Sequence, residues 1–237
     1  LPADADLAGY DLVVVPTLFV ADAARGQRIA DFVAAGGTTL VTYLSGIVDR
    51  SSRVLPGAYP GAFRDLLGVR TEEFRPLQPD EVVHLDDGSA VTEWTEDTVL
   101  AGAEAVLRYA DGDGAGRAAV TRHTFGAGTA WYVGAQLPAS TAGTLMDRIV
   151  AEVGLTPAVR APGGAAVPAG VEAVRRVTAD GPVLFLINHT EADVQLAVSG
   201  VELASSSPGA AQEPGRAVGP VLTLAAGGYA VVAEEVR

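Results

Sequence analysis

Apolar residues near the start of the chain alternate between continuous runs and helical spacing. The run from Asp11 to Pro16 (DLVVVP) is typical of a short strand that is buried on both faces. Residues 22–35 place apolar side chains at helical spacing, with Asp22 as the expected N-cap. A β-branched run at 38–43 predicts a second buried strand. The order strand, helix, strand predicts an α/β fold with a mostly parallel sheet flanked by helices.

The middle of the chain mixes helical and strand-like segments. Residues 62–67 predict a short helix that Gly68 closes. Residues 118–123 and 129–133 flank a glycine-containing turn, which predicts a hairpin. Residues 141–153 have the spacing of an amphipathic helix, so we expect a helix to close this part of the chain.

The pattern changes after these elements. Residues 157–168 are rich in Pro, Gly and Ala and predict a linker or an irregular crossing. Strand-like segments separated by Gly, Pro and Ser follow, together with a predicted long surface loop at 205–219. The predicted organisation is therefore an α/β domain at 1–156, the linker at 157–168, and a small antiparallel β-sandwich domain at 169–237.

The charge balance excludes several classes of partner. The 237 residues include 16 basic residues, all Arg, and 29 acidic residues, giving a formal net charge of −13. Such a chain lacks the basic face that nucleic-acid phosphates or an anionic membrane surface would require. The chain has no Cys, which excludes disulfides and thiolate metal sites and fits a reducing compartment. We therefore expect a cytoplasmic protein that binds neither nucleic acid nor membrane.

The sequence contains no recognisable signal peptide and no segment that predicts a membrane span. Leu1 to Asp4 carry neither Met nor a signal-peptide pattern. No apolar run approaches the roughly 20 residues that a membrane span needs. These features predict a piece of a longer protein, cut at a domain edge.

The residue types that carry chemistry do not assemble into a recognisable site. Ser45–Gly46 follows the second strand but lacks the first Gly of a nucleophile elbow. Asp111–Gly114 resembles the start of a calcium loop, yet the twelfth position is Arg122, where a carboxylate ligand belongs. The His residues have no metal-ligand spacing on one element. They are His84, His123 and His189. Carboxylates are too numerous for the sequence to nominate a catalytic pair, and no metal or cofactor is predicted.

Four stretches resemble, in order, the C-terminal half of the β-galactosidases of glycoside hydrolase family 42. They are 7–16 (LAGYDLVVVP), 32–49 (FVAAGGTTLVTYLSGIVD), 66–74 (LLGVRTEEF) and 125–134 (FGAGTAWYVG). The tail segment 185–190 (FLINHT) is similar to the small β-domain of the same family. The order of the stretches carries the resemblance, because single stretches recur in many α/β proteins.

The resemblance implies an α/β trimerisation domain with a glutamine-amidotransferase-like (flavodoxin-like) fold but without the amidotransferase cysteine. It implies a retaining β-galactosidase that hydrolyses terminal β-D-galactosides as the parent protein. The two catalytic Glu residues of the family lie in an N-terminal (β/α)₈ barrel outside this chain, so we expect the chain itself to be inactive. The implied partners are that barrel and further copies of the protein in a trimer. The alternative is a free-standing small-molecule enzyme or binding domain of amidotransferase-like fold.

The loop after the second predicted strand is the candidate contact surface. Tyr43, Ser45, Ile47, Val48 and Asp49 follow a parallel strand, where α/β proteins place their functional loops. One interpretation is that this loop faces a neighbouring subunit or the mouth of the barrel. The other is that Ile47 and Val48 cap the core of their own domain.

Overall fold

The chain divides into two compact units, residues 1–155 and 156–237. The structure, a computed structural model, describes residues 5–206 and 215–234. The expectation for Leu1 to Asp4, and the central part of the predicted loop at 205–219, lie outside the described residues.

The first unit contains nine described strands and three helices. The strands are β1 (Leu12–Val15), β2 (Thr38–Thr42), β3 (Val69–Pro76), β4 (Val83–His84), β5 (Ala90–Val91), β6 (Trp94–Leu100), β7 (Glu104–Arg108), β8 (Ala118–Phe125) and β9 (Gly128–Val133). The helices are α1 (Ala23–Ala34), α2 (Arg64–Leu67) and α3 (Ala139–Val153). No helix within the described ranges is long and apolar enough to cross a membrane.

A five-stranded mixed sheet in the order β1-β2-β9-β8-β7 forms the centre of this unit. β1, β2 and β9 run parallel, whereas β8 and β7 pair in antiparallel fashion. The sheet is therefore mixed: the expected parallel pairing holds for β1, β2 and β9, whereas β8 runs opposite to both of its neighbours. The reason is the short turn between Phe125 and Gly128, which folds β9 directly back beside β8 and leaves no room for the crossover that a parallel neighbour needs.

Helices cover both faces of the sheet. Val41 and Tyr132 pack in one core with Val33 of α1 and residues of α2. Leu40 and Trp131, their neighbours along β2 and β9, pack in a second core with α3. This burial on both faces explains why these strands appear in the sequence as continuous apolar runs.

The predicted ends of two helices are confirmed. The Asp22 carboxylate accepts the Arg25 N–H at 3.0 Å and caps α1. Gly68 has φ 60°, the left-handed conformation that closes α2. Other elements were not predicted, above all the antiparallel pair of β3 and β6.

The second unit consists of antiparallel strands around one core. Its strands are β10 (Val171–Thr178), β11 (Gly181–Asn188), β12 (Val194–Leu196), β13 (Gly200–Ser205), β14 (Arg216–Val218), β15 (Leu222–Leu224) and β16 (Tyr229–Glu234). They form a sheet β10-β11-β16-β13-β14 and a two-stranded sheet β12-β15, which share one apolar core. A 3₁₀ turn spans Pro162–Gly164.

The segment 157–168, expected as a linker, packs as part of the second unit. Val159 is buried in the core of that unit. The Ala197 N–H donates to the Arg160 carbonyl at 2.8 Å, which ties the segment to the end of the β12 region. Its Pro and Gly content therefore reflects an irregular path across the core and not a free connection.

Candidate functional site

The loop at 43–49 leaves the carboxyl end of β2 and packs against the segment that follows β1. The Ser45 hydroxyl is fully buried and accepts the Leu18 N–H at 3.0 Å. The Gly46 N–H donates to the Leu18 carbonyl at 2.8 Å, and the Ile47 N–H donates to the Phe19 carbonyl at 3.0 Å. The two segments therefore form one hydrogen-bonded layer at this edge of the sheet.

Burial differs among the five residues that the sequence nominated as a contact surface. Ser45, Ile47 and Val48 are 0%, 5% and 7% exposed. Tyr43 and Asp49 are half-buried. Within this unit Ile47 and Val48 therefore contribute to their own core, and only Tyr43 and Asp49 of the five reach solvent.

The Asp49 carboxylate stabilises its own turn. It accepts the N–H of Ser51 at 2.7 Å and the N–H of Arg53 at 3.0 Å. These bonds, the one from Arg53 above all, hold the pKa of Asp49 below its usual value. Next to it, Arg50 Nε lies 2.8 Å from the carboxylate of Asp22. The charges of this turn are thus satisfied locally.

Exposed apolar side chains surround the buried Val48. Val48 forms isolated β-bridges to Val20 on one side and to Val54 on the other. Val20 is 40% exposed, Val54 57% and the adjacent Phe19 45%. We call Phe19, Val20 and Val54 the loop patch. Exposed apolar side chains that lie close together make a candidate interaction surface, and these three lie in segments where the sequence shows no periodic pattern.

A row of four aromatic rings extends from the same loop. The ring centroids are 6.0 Å apart between Tyr43 and Trp94, 5.5 Å between Trp94 and Phe74, and 4.6 Å between Phe74 and Tyr59. All four side chains are half-buried. The row connects the loop to the β3–β6 pair, so the position of the loop depends on that pair.

A buried carboxylate lies beneath this row. Glu96 is 1% exposed, and its Oε2 accepts the hydroxyl of Tyr132 and, at 3.1 Å, the hydroxyl of Thr71. Its Oε1 accepts Trp94 Nε1–H at 3.3 Å, and the backbone N–H of Leu44 lies near enough to the carboxylate to lower its pKa. Burial raises the pKa of Glu96 to about 7, against the opposing effect of these donors.

The Glu96 cluster does not form a hydrolytic pair. Leu44, in the loop beside this carboxylate, has φ 56°, a left-handed conformation that costs a non-Gly residue free energy. A glycosidase needs a second carboxylate across the substrate. The next acid along β6, Asp97, is instead paired with Arg117 at 2.6 Å. We therefore interpret Glu96 as a link between the loop and the sheet.

The His residues and the calcium-like segment that the sequence analysis considered do not come together into one site. His84 Nδ1 lies 2.7 Å from Asp111 Oδ2, so the first acid of the calcium-like segment is engaged by a His side chain. His123 meets a backbone carbonyl at 2.8 Å, and His189 lies 3.3 Å from Glu172. Over residues 5–206 and 215–234, no three His, Asp or Glu side chains gather as a group that could hold a metal ion.

Comparisons with known proteins identify the fold and family. Residues 1–156 match the family model described as the β-galactosidase trimerisation domain. A β-galactosidase from Arthrobacter sp. is 40% identical over 232 residues, which cover 98% of this chain and 31% of the relative. The crystal structure of the β-galactosidase from Rahnella sp. R3 has a TM-score of 0.83 and 29% identity, covering 99% of this chain and 34% of its own. The crystal structure of the β-galactosidase from Bacillus circulans sp. alkalophilus has a TM-score of 0.83 and 25% identity. The match covers 98% of this chain and 34% of that β-galactosidase.

The chain spans about a third of the length of the relatives that it matches. The structural similarity nevertheless runs through both units, because it covers nearly all of this chain. The resemblance seen in the sequence is confirmed: the chain belongs to the β-galactosidase trimerisation-domain family of glycoside hydrolase family 42.

Proposed function

We propose that this chain is the non-catalytic oligomerisation and structural portion of a β-galactosidase that hydrolyses terminal β-D-galactosides. The observation that carries the proposal is the match of residues 1–156 to the trimerisation-domain model. The similarity continues through the second unit, since the Arthrobacter β-galactosidase aligns with 98% of the chain. Because the chain corresponds to about a third of that relative, the catalytic barrel is assigned to the remaining length.

The chemistry of the described residues supports a structural role. Glu96 has its carboxylate engaged by hydroxyl and indole donors and is closed to solvent. Ser45 is buried and holds the Leu18 N–H, which leaves its hydroxyl inaccessible to a substrate. These contacts also weigh against the alternative of a free-standing amidotransferase-like enzyme, which would need an accessible nucleophile.

The proposed assembly is a homotrimer of the parent enzyme. A three-fold ring requires a heterologous interface, in which one patch meets a different patch on the next subunit. We assign the loop patch and Tyr43 to this contact or to the mouth of the barrel. In support of this assignment, the patch exposes Phe19, Val20 and Val54 around a loop whose polar groups are satisfied internally.

We infer that the first unit is related in fold to the glutamine amidotransferases; the parallel strands β1, β2 and β9 with α1 packed on them support this. We also place the protein in the cytoplasm, because a chain without Cys fits a reducing compartment.

Turnover of a chromogenic β-galactoside tests the proposal. The purified 237-residue chain should match the buffer blank, whereas the complete gene product should hydrolyse the substrate. A matched control is the Glu96→Gln variant of the complete product, which should retain turnover where it folds. Hydrolysis by the isolated chain that survives repurification, and that is lost when one of its own Glu residues is replaced, would overturn the proposal.

A further inference from the structure

A cleft lies between the strand β7, at one edge of the central sheet, and the helix α3. It has a volume of about 340 Å³, which falls within the range of small-molecule sites. Val106 and Leu107 of β7 and Leu145 of α3 give the cleft an apolar side. None of the residues that line it belongs to the loop patch or to the Glu96 cluster. The proposed structural role therefore does not account for this cleft.

Thr141 places a hydroxyl-bearing side chain at the floor of the cleft. It lies in the first turn of α3, lines the cleft and is only 9% exposed. The hydroxyl of the neighbouring Thr144 donates to the Ser140 carbonyl at 3.1 Å, whereas that of Thr141 has no hydrogen-bond partner among the described residues. A buried hydroxyl without a partner costs free energy, which a polar group of a bound ligand would recover.

Arg148 supplies hydrogen-bond donors that are held in place. Its guanidinium lies over the Trp131 ring, 5.1 Å from the centroid, and its Nε donates to Glu152 at 3.1 Å. These two contacts fix the guanidinium plane, while its two terminal nitrogens have no hydrogen-bond partner in the described parts of the chain. A planar fork held in this way binds two neighbouring oxygen atoms with little loss of side-chain entropy.

Asp87 supplies an acceptor from the turn between β4 and β5. Its Oδ1 accepts the N–H of Ser89 at 2.9 Å and the hydroxyl of Ser89 at 2.6 Å. Its Oδ2 has no hydrogen-bond partner within residues 5–206 and 215–234. This carboxylate disfavours an anionic ligand, and Arg148 disfavours a cationic ligand. The polar lining therefore fits an uncharged ligand that both donates and accepts hydrogen bonds.

We propose that this cleft binds one pyranose unit of a saccharide. A sugar ring has an apolar C–H face, which fits against the apolar side of the cleft. Its adjacent hydroxyls both donate and accept, so they pair with Arg148, Asp87 and Thr141. The site binds and does not hydrolyse, because Asp87 is the one carboxylate among the described residues that line it and glycoside hydrolysis needs two.

The sugar is galactose, and this choice rests on the proposed function. Under that function the parent enzyme acts on terminal β-D-galactosides, so a second site for the same unit would hold an extended substrate beside the enzyme. Two linked sites raise the effective concentration of a substrate that spans them. The chemistry of the cleft fits a sugar, and the proposed function selects which one.

Titration of D-galactose into the isotope-labelled 237-residue chain, followed by NMR, tests the site. The amide signals of Thr141 and Thr144 should shift and reach saturation, together with the indole N–H of Trp131, over which Arg148 lies. Signals from the second unit should not move. The acyclic D-galactitol carries hydroxyls but has no ring face, and it should bind at least about tenfold more weakly.

A matched pair of Thr variants separates binding from stability. Thr141→Val and Thr121→Val each replace a buried hydroxyl that lacks a partner, but only Thr141 lines the cleft. Both variants should maintain or raise the melting temperature, because an unpaired hydroxyl is removed from the interior. Only Thr141→Val should raise the dissociation constant of galactose, by about tenfold.

A matched pair of Arg variants tests the donors. Arg148 and Arg122 both lie over Trp131 and both bind Glu152, but only Arg148 lines the cleft. Arg148→Gln should raise the dissociation constant of galactose by at least about tenfold, and Arg122→Gln by less than about twofold.

Several outcomes would overturn the site. Galactose shifts that do not saturate, or equal dissociation constants for Thr141→Val and Thr121→Val, would refute it. Equal weakening by Arg148→Gln and Arg122→Gln would place the effect in the Trp131 stack and not in the cleft. Tight binding of D-galactitol would refute the fit to a sugar ring. Turnover of a β-galactoside by the complete gene product is measured alongside: saturable binding at the cleft, with a complete product that hydrolyses no galactoside, would refute the proposed function and leave the sugar site intact.

Discussion

The Tyr132 hydroxyl donates a hydrogen bond to the Glu96 carboxylate, and both side chains are buried in the first unit. The bond joins β9, in the centre of the five-stranded sheet, to β6, which pairs with β3 in a separate sheet. The other oxygen of Glu96 accepts the indole N–H of Trp94. One buried acid thus ties the aromatic row and the loop at 43–49 to the central sheet.

Glu96 should make the stability of the first unit dependent on pH. Burial raises the pKa of Glu96 from 4.5 to about 7, so the folded state binds this proton more tightly than the unfolded state. The stabilising contribution is therefore fully present below pH 4.5 and is lost as the pH rises through about 7. A shift of this size corresponds to roughly 3 kcal/mol.

The Glu96→Gln variant isolates this contribution. Gln has nearly the same shape and no titrating proton, and its carbonyl can keep the bond from Trp94 while the hydroxyls of Tyr132 and Thr71 rotate to accept. Chemical denaturation should show that wild type loses roughly 3 kcal/mol relative to the variant between about pH 4 and about pH 8. The His residues are common to both proteins and cancel. Parallel pH profiles would contradict the account of Glu96.

Tyr132→Phe removes a donor from the Glu96 carboxylate without opening the core. We expect a loss of about 1–3 kcal/mol in the free energy of unfolding at neutral pH, because a buried carboxylate oxygen loses one of its two hydroxyl donors and keeps only Thr71. The pKa of Glu96 should rise further, since the Tyr132 hydroxyl now lowers it. Tyr10→Phe is the control, because Tyr10 is 45% exposed. Equal effects of the two substitutions on denaturation would show that the Tyr132 hydroxyl contributes nothing.

Two helix glycines should respond to Ala with opposite signs. A Cβ at Gly26 of α1 would lie 2.0 Å from the Ala62 carbonyl oxygen, a backbone atom that cannot move alone. Gly26→Ala should therefore destabilise the unit by about 2 kcal/mol or more. A Cβ at Gly143 of α3 would meet nothing within 4 Å, so Gly143→Ala should stabilise it by roughly 0.5–1 kcal/mol. Melting curves of both variants decide the point; a neutral Gly26→Ala would contradict the close packing of α1.

The loop patch should affect assembly without affecting the fold of the chain. Val54→Asp alters a side chain that is 57% exposed, so the melting temperature of the 237-residue chain should not change. The same substitution should shift the complete product toward lower mass in light scattering, because a charge would be buried at the contact. Val82→Asp, at 46% exposed, is the control for an added surface charge. A Val54→Asp product with unchanged mass at all concentrations would remove the patch from the interface.

Val48→Asp places the same charge at a buried position of the loop, in contrast to the exposed position of Val54→Asp. Val48 is 7% exposed and bridges Val20 and Val54 within its own unit. The substitution buries a charge, and we expect it to lower the melting temperature of the isolated chain as well as that of the complete product. A Val48→Asp chain with wild-type melting would show that this side chain is not part of the core.

The parts of the fold that sequence predicts well are those with local causes. Asp22 and Gly68 mark helix ends because a side-chain acceptor and a left-handed residue satisfy the end of a helix locally. The runs of β1 and β2 are continuous because helices cover both faces of the sheet. Periodicity and capping were sufficient for these elements.

The parts that the sequence did not predict depend on distant partners. Glu96 looks like any surface acid along the chain, and its burial depends on Tyr132 and Thr71, which lie far away in sequence. The mixed sheet depends on which strand β8 joins, and a hairpin pattern alone does not say that the hairpin enters the parallel sheet. The apolar run of β1 predicted a strand covered on both faces, and the open edge of that strand becomes visible only in the sheet order.

The mass of the complete gene product in solution tests the central claim most directly. Light scattering across a dilution series, with turnover of a β-galactoside measured on the same fractions, should give three times the mass of one chain and activity in that peak. Deletion of the segment that corresponds to residues 1–156 should abolish the three-fold mass. A complete product that is an active monomer or dimer at every concentration would contradict the assignment of this chain as the trimerisation portion of a β-galactosidase.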